Sequence, residues 1–268
     1  MRIGTQEFDV EKNTYIMGIL NVTPDSFSDG GKLGSIDAAL KKAEQMQSEG
    51  AAILDIGGES TRPGYIPVSQ QEEMERILPV IEAVKMRLDI PISVDTYKPV
   101  VAEAAIQAGA DMINDIWGLR ADAKMAEVIA KQGVACCLMH NRQNTEYQNL
   151  IEDVLADLRN SLSIAAAAGI SKNKIILDPG VGFAKDYEQN LEVLRNLNKI
   201  KELECPVLLG ASRKSVIGLT LDLPSDERLE GTLVTTVAAV QQGCSFVRVH
   251  DVKENYRAIQ MAQAIYRR

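Results

Sequence analysis

Apolar segments and helix-patterned segments alternate eight times along the chain, and each apolar segment closes on a polar side chain. In order, the segments are TYIMGILN to Asn21, AAILD to Asp55, PISVD to Asp95 and DMINDI around Asn114 and Asp115. Then come VACCLMH to His140, KIILD to Asp178, PVLLGASRK to Ser212, Arg213 and Lys214, and SFVRVH to Arg248 and His250. Near-continuous apolar strands suit a parallel sheet buried on both faces. Eight strand–helix units predict an α/β fold, a (β/α)8 TIM barrel, which carries its chemistry at the C-terminal ends of its strands. An open doubly wound sheet shares the alternation, but eight units with no GxGxxG turn favour the barrel.

The helices read as SIDAALKKAEQMQSEG, with Ser35 as N-cap and Gly50 at C′, and SQQEEMERILPVIEAVKMRL. The second opens at Ser69 with acidic residues in its first turn, and Pro79 inside it predicts a kink. KPVVAEAAIQAG, ADAKMAEVIAKQG, LIEDVLADLRNSLSIAAAAG, YEQNLEVLRNLNKIKEL, SDERLEGTLVTTVAAVQQG and VKENYRAIQMAQAIYRR complete eight. Four helices end in Gly and pass at once into a strand (GAAILDIG, GADMINDI, GVACCLMH, GCSFVRVH), which predicts a left-handed C′ glycine at each. Residues 2–13 read as a short strand or hairpin that plugs the bottom of the barrel.

The length, 268 residues, suits one such barrel, so residues 1–268 are expected to form a single domain. Hydrophobic residues make up 46 % and aromatic ones only 4 %, so aliphatic side chains must fill the core. There is no 18-residue apolar stretch and no secretory h-region, so a cytoplasmic location away from membranes is expected. Cys136, Cys137, Cys205 and Cys244 lie in or beside predicted strands with neither zinc nor CxxC spacing, and read as reduced, buried thiols. The net charge of −8 argues against nucleic acid or an anionic membrane as partner, while leaving room for a small anion held by a local basic cluster. Two histidines are too few for a multi-histidine metal site.

Two connections at the chemical end, NVTPDSFSDGGKLG and GGESTRPGYIPV, exceed the ~2–6 residues usual for such loops. Both are rich in Gly, Pro, Ser and Thr, and long loops at that end commonly cover a substrate. Their scarcity of apolar residues predicts mobility in the free protein.

The strings Asn21-Val-Thr-Pro-Asp-Ser-Phe-Ser-Asp-Gly-Gly31 and Glu59-Ser-Thr-Arg-Pro-Gly64 make the chain resemble the dihydropteroate synthase family. Asp178-Pro-Gly-Val-Gly-Phe183, Gly210-Ala-Ser-Arg-Lys-Ser215 and Arg248-Val-His-Asp251 extend the resemblance over essentially the whole chain, in the family's order. It implies condensation of 6-hydroxymethyl-7,8-dihydropterin diphosphate with 4-aminobenzoate, giving 7,8-dihydropteroate and pyrophosphate. That is a step of folate biosynthesis and the target of sulfonamides.

The resemblance implies roles for single residues. Asp178 accepts the ring N–H and exocyclic amine of the pterin side by side, as a carboxylate can. Asn114, Asp95 and Lys214 take the remaining ring edges, with Arg248 beside them, and Ile116, Met139 and Phe183 form the walls. The diphosphate falls to Asn21, Thr61, Arg62, Arg248 and His250, in keeping with phosphate sites after the last two barrel strands. Asn21 is the implied ligand of a diphosphate-bound Mg²⁺, a hard ion that keeps most of its water. Phe27, Thr61, Arg62, Pro63, Phe183, Lys214 and Ser215 surround 4-aminobenzoate, with Ser215 starting a helix or a short turn ahead of it. Asp178, Lys214, Arg248 and His250 are the candidate catalytic residues. Closure of the two loops on Mg²⁺-diphosphate is expected to tighten arylamine binding by about 1–3 kcal/mol.

Other readings stay open at this point. Asp25 and Asp29 also read as turn formers, Asp115 as a structural carboxylate on the opposite strand face, and Arg213 as half of an ion pair. His140 also reads as a satisfied structural histidine, because Met139-His140-Asn141 departs from the family's Met-His-Met and puts a contact by Asn141 in doubt. A pterin-dependent methyltransferase acting on a corrinoid protein shares the barrel and the pterin carboxylates but does not require STRPG and SRK. A catalytically silent pterin-binding protein would not need Asn21, Arg62, Lys214, Arg248 and His250 intact. The apolar faces of TLVTTVAAV and IQMAQAIY, with the family's habit, predict a homodimer through the late helices. Dissociative and associative courses are not separable from sequence.

Overall fold

The computed structural model describes residues 1–22, 31–59 and 68–266, with backbone alone for 31–35. A short antiparallel hairpin, β1 (Arg2–Ile3) and β2 (Gln6–Glu7), precedes eight parallel strands. These are β3 (Tyr15–Asn21), β4 (Ala51–Gly57), β5 (Ile92–Asp95), β6 (Met112–Asp115), β7 (Ala135–Met139), β8 (Ile175–Asp178), β9 (Leu208–Leu209) and β10 (Phe246–Val249). Their order is β8-β7-β6-β5-β4-β3-β10-β9, and a parallel bridge between Leu177 and Val207 brings β8 beside β9. The sheet therefore closes on itself as the alternation predicts, a (β/α)8 barrel.

The helices are α1 (Gly31–Ser48), α2 (Gln70–Arg87), α3 (Pro99–Gln107), α4 (Lys124–Gln132), α5 (Leu150–Ala167), α6 (Tyr187–Arg195), α7 (Leu197–Ile200), α8 (Ser215–Leu221), α9 (Leu229–Gln241) and α10 (Val252–Tyr266). Ser69 caps α2 by accepting from the Glu72 N–H, with Glu72 and Glu73 in the first turn. Pro79 sits inside a helix that runs unbroken past it. Gly50, Gly109, Gly133 and Gly243 all have positive φ, as helix ends followed at once by strands require. Several boundaries differ from expectation: α4 starts at Lys124 and not at Ala121, and α9 at Leu229, with Ser225–Glu227 a separate tight turn. Helix α1 starts at Gly31, so Ser35 lies inside it and is not its N-cap; glycine is tolerated at a helix start, and Lys32 and Leu33 are ordinary helix formers. The segment YEQNLEVLRNLNKIKEL breaks at Asn196 into α6 and α7.

Strand parity divides the core into two shells. Residues such as Leu20, Leu54, Ile56, Val94, Ile113, Leu138, Leu177 and Val247 face the helices. Met17, Ile53, Met112, Cys137, Ile176, Leu208 and Phe246 fill the barrel's lower interior, where Ile3 and Phe8 of the N-terminal segment join them. Phe8 meets the Tyr15 ring edge-on at 5.0 Å and lies 5.7 Å from that of Phe246. The hairpin thus plugs the bottom, and truncating the fully buried Phe246 to Ala would cost about 3–5 kcal/mol. All four cysteines are buried free thiols, and burial raises the pKa of Cys136 and Cys137.

Candidate active site

The same parity that buries Met17, Ile53, Met112, Cys137, Ile176 and Phe246 below puts Asn21, Asp55, Asn114, Met139, Asp178 and Arg248 above, toward the C-terminal mouth. Asp95 belongs to this layer, since it pairs in register with Asn114, as Met139 does with Asp178. Asn21, Asp55, Asp95, Asn114, Asp178 and Arg248 therefore form a polar top layer of the barrel interior.

Arg248 organises one side of the mouth. Its Nε donates to Asp55 Oδ2 at 2.6 Å and a terminal nitrogen donates to Asp95 Oδ2 at 2.8 Å. Asn114 Nδ2 donates to the same Asp55 oxygen at 3.3 Å. Asp55, Asp95 and Asn114 are buried. Burial works against the Arg248 charge, but Asp55 and Asp95 outweigh it and raise the guanidinium's pKa. Burial pushes the Asp95 carboxyl up, with Arg248 pulling it back. Asp55 Oδ1 and Asp95 Oδ1 are buried without a hydrogen-bond partner among the described residues. Such groups ordinarily find one.

Asp178 and Lys214 form the other side. Asp178 Oδ1 accepts the Gly180 N–H at 2.7 Å, and Lys214 Nζ donates to the Val181 carbonyl at 2.5 Å. The Lys214 ammonium stands 4.7 Å from the centre of the Phe183 ring, a cation–π contact. Burial lowers the pKa of Lys214 to about 8, with Asp178 opposing; burial raises that of Asp178, with Lys214 opposing. The two sides meet at Gly210. A Cβ built there would lie 3.5 Å from Asp178 Oδ2, 3.8 Å from Lys214 Nζ and 4.0 Å from Arg248 Cβ.

His250 lies at the mouth with Nδ1 3.0 Å from Ser212 Oγ. A Cβ on Gly57 would come within 3.9 Å of Asn21 Oδ1. Ile116 and Met139 are buried, and Ser215 is the exposed first residue of α8, with Lys214 as its N-cap. Phe27, Asp25, Asp29, Thr61, Arg62 and Pro63 lie outside the described residues, as do most of the two long loops.

Four residues with open readings stand off the mouth. Asp115 points to the outer face and accepts the Trp117 and Leu119 N–H groups at 2.9 and 2.7 Å. His140 follows Met139 and turns outward to Asp157 of α5. Arg213 pairs with Asp251 through two nitrogens. Asn141 Oδ1 accepts the N–H of Arg142. Sequence reading left Asp55 out of the site, although its parity on β4 sets it in the Asp95 layer. Its partnership with Arg248, 193 positions away, has no local signal.

The family model for pterin binding enzymes matches residues 17–250. The chain is 60 % identical to the dihydropteroate synthase of Clostridium beijerinckii over the full length of both. It is 54 % identical to that of Bacillus subtilis, over 95 % of this chain and 90 % of that one. The crystal structure of dihydropteroate synthase from Clostridium difficile in the presence of pteroic acid superposes with a TM-score of 0.95 at 54 % identity, covering 98 % of this chain and 100 % of that one. Xanthomonas albilineans dihydropteroate synthase with 4-aminobenzoic acid gives 0.90 at 41 %, covering 94 % and 93 %.

Proposed function

The chain belongs to the pterin-binding enzymes and, among them, to the dihydropteroate synthases, and from that premise we infer how its residues divide the work. The reaction condenses 6-hydroxymethyl-7,8-dihydropterin diphosphate with 4-aminobenzoate to give 7,8-dihydropteroate and pyrophosphate. It is an alkyl transfer in folate biosynthesis. The methylene–oxygen bond breaks with its electron pair leaving on pyrophosphate, the arylamine nitrogen bonds to the methylene, and the surplus proton on that nitrogen passes to pyrophosphate or water.

The pterin lies over Gly210. Asp178 accepts its ring N–H and exocyclic amine, and Asp95 and Asn114 take the adjoining edge. Lys214 reaches the opposite, carbonyl side, and Ile116, Met139 and Phe183 are the walls. The observation that carries this reading is the convergence of Asp178 Oδ2 and Lys214 Nζ on the space a Gly210 side chain would fill, with Arg248 Cβ bordering it. The buried Asp95 Oδ1 without a protein partner supports it as an acceptor left for the ring. Asp55 Oδ2 positions Arg248 and Asn114.

Charge on the leaving group is the main electrostatic demand, and preorganised donors meet it without reorganisation. Arg248 and His250, with Thr61 and Arg62, face the diphosphate. Among the described residues no three His, Cys, Asp or Glu side chains cluster to hold an ion. Asn21 Oδ1, beside the open space over Gly57, would be the protein ligand of a diphosphate-bound Mg²⁺, an ion that commonly takes few protein ligands. When bound, the ion would supply charge neutralisation on the pyrophosphate. Phe27, Thr61, Arg62, Pro63, Phe183, Lys214 and Ser215 hold 4-aminobenzoate, aligned on the methylene; such alignment is itself a large part of catalysis.

Residues 1–268 act as one domain, in a cytoplasmic setting that suits four reduced thiols. Two copies pair through the late helices. The support is an apolar surface on α8, α9 and α10, where Leu219, Val234, Met261 and Ile265 are more than half exposed. Sedimentation at micromolar concentration should give a dimer; particles of 29 kDa alone would remove that assignment. The activity test is pyrophosphate release. It should require both substrates and Mg²⁺. Methyl transfer to a corrinoid protein with no pyrophosphate release would replace this reading with the methyltransferase one, and binding without turnover would leave a silent pterin-binding protein.

A further inference from the structure

Lys185 is a buried lysine, 8 % exposed, with no part in the division of work above. Its ammonium contacts His140 Nδ1 at 2.9 Å, the Gly180 carbonyl at 3.0 Å and the Phe183 carbonyl at 3.0 Å. An ammonium has three N–H bonds and no acceptor, so the three partners match it one for one. His140 accepts at Nδ1 because its other ring nitrogen, 3.1 Å from Asp157 Oδ2, carries the proton. Burial, and then the cations Lys185, Arg120 and Arg142, hold the His140 pKa down to about 2, so the ring stays neutral in this tautomer.

The two carbonyls belong to the turn that leaves β8. Three of its residues are left-handed: Gly180 at φ +70°, Gly182 at +84° and Ala184 at +46°. A Cβ on Gly180 would stand 2.0 Å from the His140 carbonyl oxygen, so the turn runs against the end of β7. Ala184 takes this conformation against its own preference. A backbone of this kind persists where its surroundings over-determine it. The same turn supplies the Gly180 N–H to Asp178, the Val181 carbonyl to Lys214 and the Phe183 ring beside the Lys214 ammonium.

We propose that Lys185 is a positioning residue for pterin recognition: by tying the Gly180 and Phe183 carbonyls to His140, it fixes the turn that orients Asp178, Lys214 and Phe183. This rests on the reading that the pterin lies against those three residues. Two other ties hold the outer side of the turn, Tyr147 Oη donating to the Ala184 carbonyl at 2.7 Å and the Gly182 N–H donating to Asn190 Oδ1 at 2.6 Å. Lys185 differs from them in grasping Gly180, the residue whose N–H sits on Asp178.

The test is titration calorimetry with 6-hydroxymethylpterin, which carries the ring without the diphosphate, on the full-length protein. Lys185→Met should weaken binding at least tenfold. Tyr147→Phe, which removes one outer tie, should lower the thermal midpoint but keep affinity within twofold. Should Lys185→Met fail to fold, Lys185→Gln, with two donors in place of three, should weaken binding at least threefold. Asp178→Asn separates the two levels. If it leaves affinity unchanged, the site reading itself fails. If it weakens binding while the Lys185 variant stays within twofold of wild type, the positioning role is overturned and the site reading stands. Equal losses in Tyr147→Phe and Lys185→Met would also overturn it, reducing Lys185 to one of several stabilising ties.

Discussion

Arg248 and Asp55 stand on strands separated by β3, yet Arg248 Nε and Asp55 Oδ2 are 2.6 Å apart inside the barrel mouth. Asp55 is fully buried and Arg248 is 17 % exposed at its side chain, so the pair is shielded from water. Removing one partner of a buried pair leaves a charge uncompensated, which typically costs about 3–5 kcal/mol. Here Asp95 remains as a second anion for Arg248. Asp55→Ala is therefore expected at the lower end, about 3 kcal/mol, in urea unfolding at pH 7. Pterin affinity should fall too, because Asn114 loses its Asp55 acceptor. A variant as stable as wild type would mean that Asp95 alone compensates Arg248.

Asp178→Asn replaces a carboxylate with a group that must turn one N–H toward a ring donor. Loss of a charge-assisted pair of hydrogen bonds should cost roughly 2–4 kcal/mol of pterin binding. The Gly180 N–H can still be accepted by the amide oxygen, so the turn should keep its shape and the thermal midpoint should move little. Calorimetry on the folded variant decides. Unchanged affinity would take Asp178 out of the pterin site.

The barrel was legible because its physical signal is local. Eight apolar runs, their helices and the glycines at Gly50, Gly109, Gly133 and Gly243 each announce themselves within a dozen residues. Side-chain facing followed from period two: adjacent residues on a strand oppose each other, which sends Asn114 inward and Asp115 to the Trp117 and Leu119 amides. Partnerships across the barrel were not legible. Asp55 with Arg248 joins β4 to β10 across β3, and Lys185 with His140 joins the ends of the paired strands β8 and β7; neither contact has a local signal. The start of α1 was misread at Ser35 because a good capping residue can also sit within a helix. The long loops carry the strings most telling of family, and their contacts lie outside the described residues.

Burial lowers the Lys214 pKa to about 8 and that of Lys185 to about 7, both from 10.5. The unfolded chain holds these protons up to near 10.5, so between about 7 and that value it binds more protons than the folded chain does. Stability from these two groups must then rise with pH through that window. Function should move the other way. As pH rises past about 7 the free enzyme loses first the Lys185 ammonium that ties the turn and then, near 8, that of Lys214, so kcat/KM for the pterin substrate should decline across both pKa values, since this ratio reports free-enzyme groups. Thermal midpoints and kcat/KM measured from about pH 7 to 8.5, below the range where the raised pKa values of Cys136, Cys137 and Cys205 work against stability, should diverge. A basic limb that persists unchanged in Lys214→Met would assign it to another group.

A second buried cluster links the residues on either side of 60–67, and its behaviour is predictable from charge count. Lys98 Nζ lies 2.5 Å from Glu59, 2.6 Å from Glu73 and 2.9 Å from the Val68 carbonyl, so one ammonium serves two carboxylates. Glu59 also accepts from the Val68 N–H and the Tyr97 hydroxyl, which joins the residues flanking 60–67 to the end of β5. Both carboxylates are nearly inaccessible, at 2 % and 1 %. Burial raises the Glu73 pKa, and Lys98 pulls it back. Lys98→Met removes the pull and leaves two anions facing each other, which should cost about 3–5 kcal/mol of stability at pH 7. The sign with pH follows from the direction of the shift. Glu73 would then have a folded pKa still further above its unfolded value, so protonation on acidification relieves the repulsion, and the deficit against wild type should shrink from pH 7 to pH 5. Lys98→Met with Glu73→Leu should recover much of the loss, because the remaining Glu59 keeps its Val68 and Tyr97 donors. Urea unfolding of wild type and both variants at the two pH values checks this, and a single-variant loss below about 1 kcal/mol, or one independent of pH, would show that the cluster is solvated like a surface pair.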